Sequence, residues 1–343
     1  MSFSEASSGR ISLLVGLGVI TVALLSALAF AAGRYPVAAG DVLRVLWSWL
    51  GGAPHGLDPA VETVVLQIRG PRVLSALLVG AALAAAGAAY QNLFRNPLVS
   101  PDILGVSAGA AVGAVLGIFL SLGVVLIQGM AFAGGLLAVA LVYVTACAVR
   151  GHDPLLVLVL AGVVLGSLLG ACVALLKYLA DPYNQLPAIT FWLLGSLASV
   201  NPADLRLAAP LIIIGLIPLW LLRWRINVLA LDDEEARALG VATSRIRLAV
   251  IVCATLMTSA AVAIAGVVGW IGLVIPHFAR LLSGPDFSRL LPLSVLLGAG
   301  FLVAVDTLAR VLADVEIPLG VLTAFVGTPL FLWQLATARR VWQ

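Results

Sequence analysis

Ten apolar runs, most of them long enough to cross a bilayer, constrain this chain more than any other feature. They fall at about 11–32, 72–91, 106–122, 127–149, 155–177, 205–222, 248–265, 272–282, 290–309 and 319–338, the eighth being the shortest. A helix needs roughly 20 apolar residues to span the hydrocarbon, whereas a tilted barrel strand needs about ten with strict alternation. Alternation is absent, so the runs read as helices. Hydrophobic residues are 62% of the 343 and charged residues 10%, with Lys177 the single lysine, a composition that cannot cover an ordinary water-facing surface. The expected fold is an all-α polytopic membrane protein of about ten transmembrane helices, with 1–343 as one transmembrane domain. The polar stretch 1–9 leads into the first run without a cleavage-site pattern, so that run reads as a span and not a signal peptide.

Charge placement orients the spans. With the N-terminus inside, Arg34, Arg44, Arg69, Arg72, Lys177, Arg206 and Arg310 fall outside, and the other twelve arginines inside. The positive-inside tendency favours that arrangement, with both termini cytoplasmic. It also explains the net charge of +3 without nucleic acid. Two polar-flanked stretches, "GDVLRVLWSWLGG" from Gly40 (Val42, Val45, Leu46, Trp49) and "DPYNQLPAITFWLLGSL" from Asp181, read as short helices lying at the interface. "AALAAAGAAYQNLFRNP" at 81–97 aligns without gaps with "AAVAIAGVVGWIGLVIP" at 260–276, a candidate inverted repeat of spans two and seven. Close helix packing explains the same small residues.

Chemistry is scarce at membrane depth. Cys147, Cys172 and Cys253 lie in apolar runs with no metal-ligand spacing to His55, His152 or His277, so they read as packing residues and no metal site is expected. No H-E-x-x-H, G-x-S-x-G or paired carboxylate falls within a span. Asp306 precedes Arg310 by four residues, the spacing of an i, i+4 ion pair. Asp102, in "NPLVSPDILG", is the one candidate for ion coupling and reads as a span boundary. A P-loop needs a Gly-Lys pair, and Lys177 follows Leu176. The chain reads as a transport subunit, not an enzyme, with no cofactor of its own.

The stretch "LALDDEEARALGVATSRIR" at 229–247 stands apart. Asp232, Asp233, Glu234 and Glu235 open a short helix through Ala236, Arg237, Ala238 and Leu239, with Gly240 as its stop. Its small residues would let it seat in a partner's cleft, which reads as docking to a cytoplasmic motor subunit.

These residues resemble the FecCD family, the permease subunits of type II ABC importers for cobalamin, haem and ferric siderophores. The marks are "IRGPRVLSALLVGAALAAAGAAYQNLFRNPLVSPDILGVSAGA" from Ile68, "FWLLGSL" from Phe191, "LALDDEEARALGV" from Leu229, "GWIGLVIPHFARLLSGPDFSRLLP" from Gly269, "AVDTLAR" from Ala304 and "EIPLGVLTAFVGTPLFLW" from Glu316. The resemblance implies a ten-helix permease in the bacterial inner membrane, working as a homodimer with its pathway on the two-fold axis. Two ABC ATPase subunits, carrying ATP and Mg, would sit below, and a periplasmic or lipoprotein binding protein above. Residues 232–240 of the loop at about 227–247 would be the ATPase-coupling helix. Arg69, Arg72 and Arg310 would face acidic groups on the binding protein, and Gln91, Asn92 and Asn96 would border the pathway. His277 lies in a motif shared with cobalamin permeases, which implies a structural role. The expected cargo is an iron chelate, siderophore or haem; cobalamin or an oxyanion is next. An ion-coupled secondary transporter is the alternative class, told apart by ATP dependence.

Overall fold

The computed structural model describes residues 2–33, 35–54, 56–149 and 153–338. Arg34, His55, Arg150, His152, Arg339 and Arg340, named above, lie outside them. The helices are α1 Ser2–Ala31, α2 Ala39–Trp49, α3 Pro59–Thr63, α4 Gly70–Leu93, α5 Val106–Phe119, α6 Val124–Ala148, α7 Pro154–Leu179, α8 Gln185–Leu194, α9 Pro202–Leu221, α10 Arg223–Val228, α11 Asp233–Ala238, α12 Thr243–Ala265, α13 Ile271–Ser283, α14 Phe287–Val311 and α15 Leu319–Ala338. Among the described residues there is no strand. Seven helical stretches are long and apolar enough to cross a membrane, while α5, α8, α13 and α15 supply shorter apolar segments. Every run read from the sequence coincides with a helix, although α5 and α13 reach only 14 and 13 residues.

Burial separates centre from rim. On α4, 78% of the apolar window is buried, against 6% on α1 and 11% on α7. Leu13, Leu17, Leu24 and Leu28 are exposed along α1, as expected for a helix whose solvent is lipid. The central helices meet through small residues. A Cβ on Gly80 would stand 2.2 Å from the Gly298 carbonyl oxygen, and one on Gly87 1.9 Å from that of Gly272. Backbones approach this closely in membranes because dispersion and packing, not water exclusion, hold helices together.

Local structure departs from expectation at three places. The second span is the C-terminal part of a longer helical stretch, Pro59–Leu93, started by the Asp58 carboxylate accepting from the Ala60 amide and loosened into a π-helical turn at Val64–Arg69. The aligned repeats share a helix only as far as Gly87 and Gly266: the former sits mid-helix, the latter ends α12 with φ 67°. On α2, Val42 and Val45 are buried and Leu46 packs beside them, but Trp47 and Trp49 are 66% and 69% exposed. Indoles on the outer side of a short interfacial helix gain more from the headgroup region than from the small core beneath.

Candidate functional sites

At one end of the bundle, α11 stands on the surface as a short acidic helix. Gly240, with φ 77°, gives it a Schellman ending: the Gly240 amide donates to the Arg237 carbonyl at 2.9 Å and the Val241 amide to that of Ala236 at 3.0 Å. Ala236 and Val241 turn into the core, while Glu234, Glu235, Arg237, Ala238, Leu239 and Gly240 face outward. Leu231 and Leu239 are 40% and 54% exposed beside the acids.

The helix is anchored by residues the sequence did not single out. Arg95, at the end of α4, donates to the Leu229 carbonyl at 3.0 Å and to the Leu231 carbonyl, and pairs with Asp232 at 3.1 Å. Arg247 on α12 pairs with Asp233. Asn227 on α10 donates to the Asp286 carboxylate and accepts from the Phe287 amide, each at 2.6 Å. Burial alone would raise the Asp286 pKa, but the bonds from Asn227 and Ser288 and the charge of Arg289 hold it below the ordinary carboxylate value. The α10–α11 segment is therefore tied to α4, α12 and α14, the three most enclosed long helices.

Gln91, Asn92 and Asn96 lie at this same end. Gln91 donates to the Leu273 carbonyl at 3.0 Å and Asn92 to the Ile226 carbonyl at 3.1 Å, so both fasten α4 to its neighbours. They are buried at 1% and 6% exposure, yet with Asn96, Arg95, Asn227 and Arg280 they line a polar pocket of about 270 Å³. His277 is 8% exposed on α13.

The opposite end holds a charge cluster. Arg72 donates through both terminal nitrogens to the Glu316 carboxylate at 2.9 Å and through Nε to Asp306 at 2.9 Å. Arg310 pairs with Asp306 at 3.3 Å, as the i, i+4 spacing predicts, and donates to the Ala29 and Ala32 carbonyls at 3.1 Å. Arg69 donates to the Phe30 carbonyl at 2.5 Å and that of Tyr35 at 2.6 Å. Arg69, Arg72 and Arg310 are 4%, 6% and 8% exposed. Guanidiniums at a span end turn inward here because Asp306, Glu316 and the carbonyls ending α1 satisfy them away from lipid. An open, apolar cleft of about 700 Å³ lies between Leu194 of α8, Val267 and Trp270 before α13, and Val321 and Phe325 of α15.

The model of the FecCD transport family matches residues 20–337. The chain belongs to that family. FecCD relatives include the molybdate import permease MolB of Haemophilus influenzae, 39% identical over 93% of this chain and 94% of that protein. The hemin transport permease HmuU of Yersinia pestis is 40% identical over 86% of this chain and 88% of its own length. An ABC transporter of metal-chelate type, solved in an inward-facing conformation, superposes with a TM-score of 0.84 at 36% identity, covering 95% of this chain and 99% of that one. This FecCD protein is thus a multi-pass ABC importer permease.

Proposed function

We propose that this permease carries an iron chelate, siderophore or haem, across the bacterial inner membrane as a homodimer, driven by two separate ABC ATPase subunits holding ATP and Mg. The anchoring of the α10–α11 segment carries the reading: an exposed helix whose segment is tied through Arg95, Arg247 and Asn227 to enclosed spans is built to pass a partner's movement into the membrane. In this arrangement 232–240 is the coupling segment and α11 marks the cytoplasmic side, with both termini. The substrate-binding protein docks at the other end. There Arg69, Arg72 and Arg310 hold the docking surface in shape from beneath. The apolar cleft beside α8 and α15 forms half of the pathway at the two-fold axis. Gln91, Asn92 and Asn96 act at its inner end by fastening helices.

The relative named for hemin transport supports the iron-chelate cargo, and the molybdate relative makes an oxyanion the second reading. Proteoliposomes containing the permease, its ATPase and its binding protein should take up iron chelate only with ATP inside the ATPase compartment. The purified chain alone should hydrolyse none. Uptake driven by a proton or sodium gradient without ATP would end this reading.

A further inference from the structure

Between α4 and α5 the chain turns back into the bundle. Pro101–Leu104 forms one 3-10 turn, and two close approaches fix its depth. A Cβ on Gly272 would stand 2.4 Å from Pro101 and 3.0 Å from the Leu83 carbonyl, and one on Gly162 would stand 2.1 Å from the Ile103 carbonyl. Leu83 lies ten residues before the end of α4 at Leu93, and Gly162 eight residues past the start of α7 at Pro154. At about 1.5 Å per residue, the neighbours of Asp102 on both sides lie roughly 12–15 Å inside the α11 end. That is near the middle of a hydrocarbon layer about 30 Å thick, not at a span boundary.

Asp102 is nevertheless exposed, while Pro101 and Leu104 beside it are buried. Its carboxylate accepts from the Ser107 hydroxyl, and among the described residues no lysine, arginine or histidine forms an ion pair with it. A carboxylate cannot rest against acyl chains at that depth without a large penalty, so the surface it occupies must be wet. Resting on the importer reading above, we propose that Asp102 faces the aqueous pathway and gives its middle a negative potential. Cargo that is cationic or rich in hydrogen-bond donors is then favoured there, and oxyanions are disfavoured. A homodimer brings two such carboxylates to the pathway, which strengthens the bias. This disfavours a molybdate-like oxyanion and, among iron chelates, those such as haem that carry free carboxylates.

The test uses the full chain in proteoliposomes with Cys147, Cys172 and Cys253 replaced by serine or alanine and Ser107→Cys as reporter, or Ile103→Cys if the first variant elutes as aggregate. Labelling rates are measured with membrane-impermeant cationic and anionic methanethiosulfonates applied from both sides. The reporter should react despite its depth, and faster with the cation. Adding Asp102→Asn should lower the cation-to-anion rate ratio at least about fourfold, since one unit charge roughly 5 Å away in bulk water changes each reagent's rate about fourfold, in opposite directions, before salt screening. No labelling from either side, or an unchanged ratio in the Asp102→Asn chain, overturns the proposal. Labelling needs neither ATPase nor cargo, so failure of the importer reading would show separately, in the uptake assay.

Discussion

Removing the Asp306 carboxylate should cost the chain more stability than any other single charge change at the end opposite α11. Asp306 is 1% exposed and holds Arg72 at 2.9 Å and Arg310 at 3.3 Å, both guanidiniums themselves buried. Breaking a buried pair from one side costs about 3–5 kcal/mol, since the remaining charge stays desolvated. Arg72 keeps Glu316, and Arg310 keeps the Ala29 and Ala32 carbonyls, so the lower value of about 3 kcal/mol is the better expectation for Asp306→Ala. Glu316, with its side chain 34% exposed, is partly screened, and Glu316→Gln should cost only about 0–1 kcal/mol. Thermal denaturation of the detergent-solubilised chain, followed by size-exclusion recovery, ranks the two. If Asp306→Ala and Glu316→Gln melted alike, near wild type, while binding-protein affinity collapsed, the cluster would be a docking charge and not an internal clamp.

Three further outcomes follow from the geometry. Ala238 is exposed beside Leu239, so Ala238→Trp should abolish ATPase assembly while leaving the melting temperature within about 1 °C of wild type, an exposed substitution being worth about ±0.5 kcal/mol; intact pull-down of the ATPase would show that α11 is only a solvated loop. The Asp286 pKa is held below its unfolded value of about 3.9, so the stability it contributes is present above that value and is lost as pH falls through the lowered one. An acid titration of melting temperature should show this limb, and Asp286→Asn should flatten it. Gly298→Leu places a side chain against the Gly80 carbonyl, 2.4 Å from where its Cβ would lie, and should prevent α4–α14 packing and recovery of monodisperse protein, whereas Gly16→Leu, with open space around it, should not.

Local signals were legible and distant ones were not. Hydropathy is a local property, so all ten apolar runs coincide with helices, and the acids and Gly240 bracket α11 because caps are made within a few residues. The anchors of that helix were hidden by separation: Arg95 meets Asp232 across 137 positions, and Arg72 meets Asp306 across 234. An arginine at a span end also reads the same whether it turns to water or inward, so the burial of Arg69, Arg72 and Arg310 was not legible. Asp102, directly after Pro101, looks like a boundary because proline and aspartate usually mark one, and only the approach of Gly162 and Gly272 reveals its depth.

The central claim is that motion at α11 reaches the spans through its anchors, and Arg95→Ala tests it most directly. In proteoliposomes with the ATPase and binding protein present, uptake and ATP hydrolysis are measured together for wild type and variant. The account predicts that the variant still assembles and hydrolyses ATP within about twofold of wild type while cargo moved per ATP falls at least about tenfold, the effect of losing roughly 1.4 kcal/mol of coupling. An unchanged ratio of cargo to ATP in a well-folded Arg95→Ala complex would contradict it.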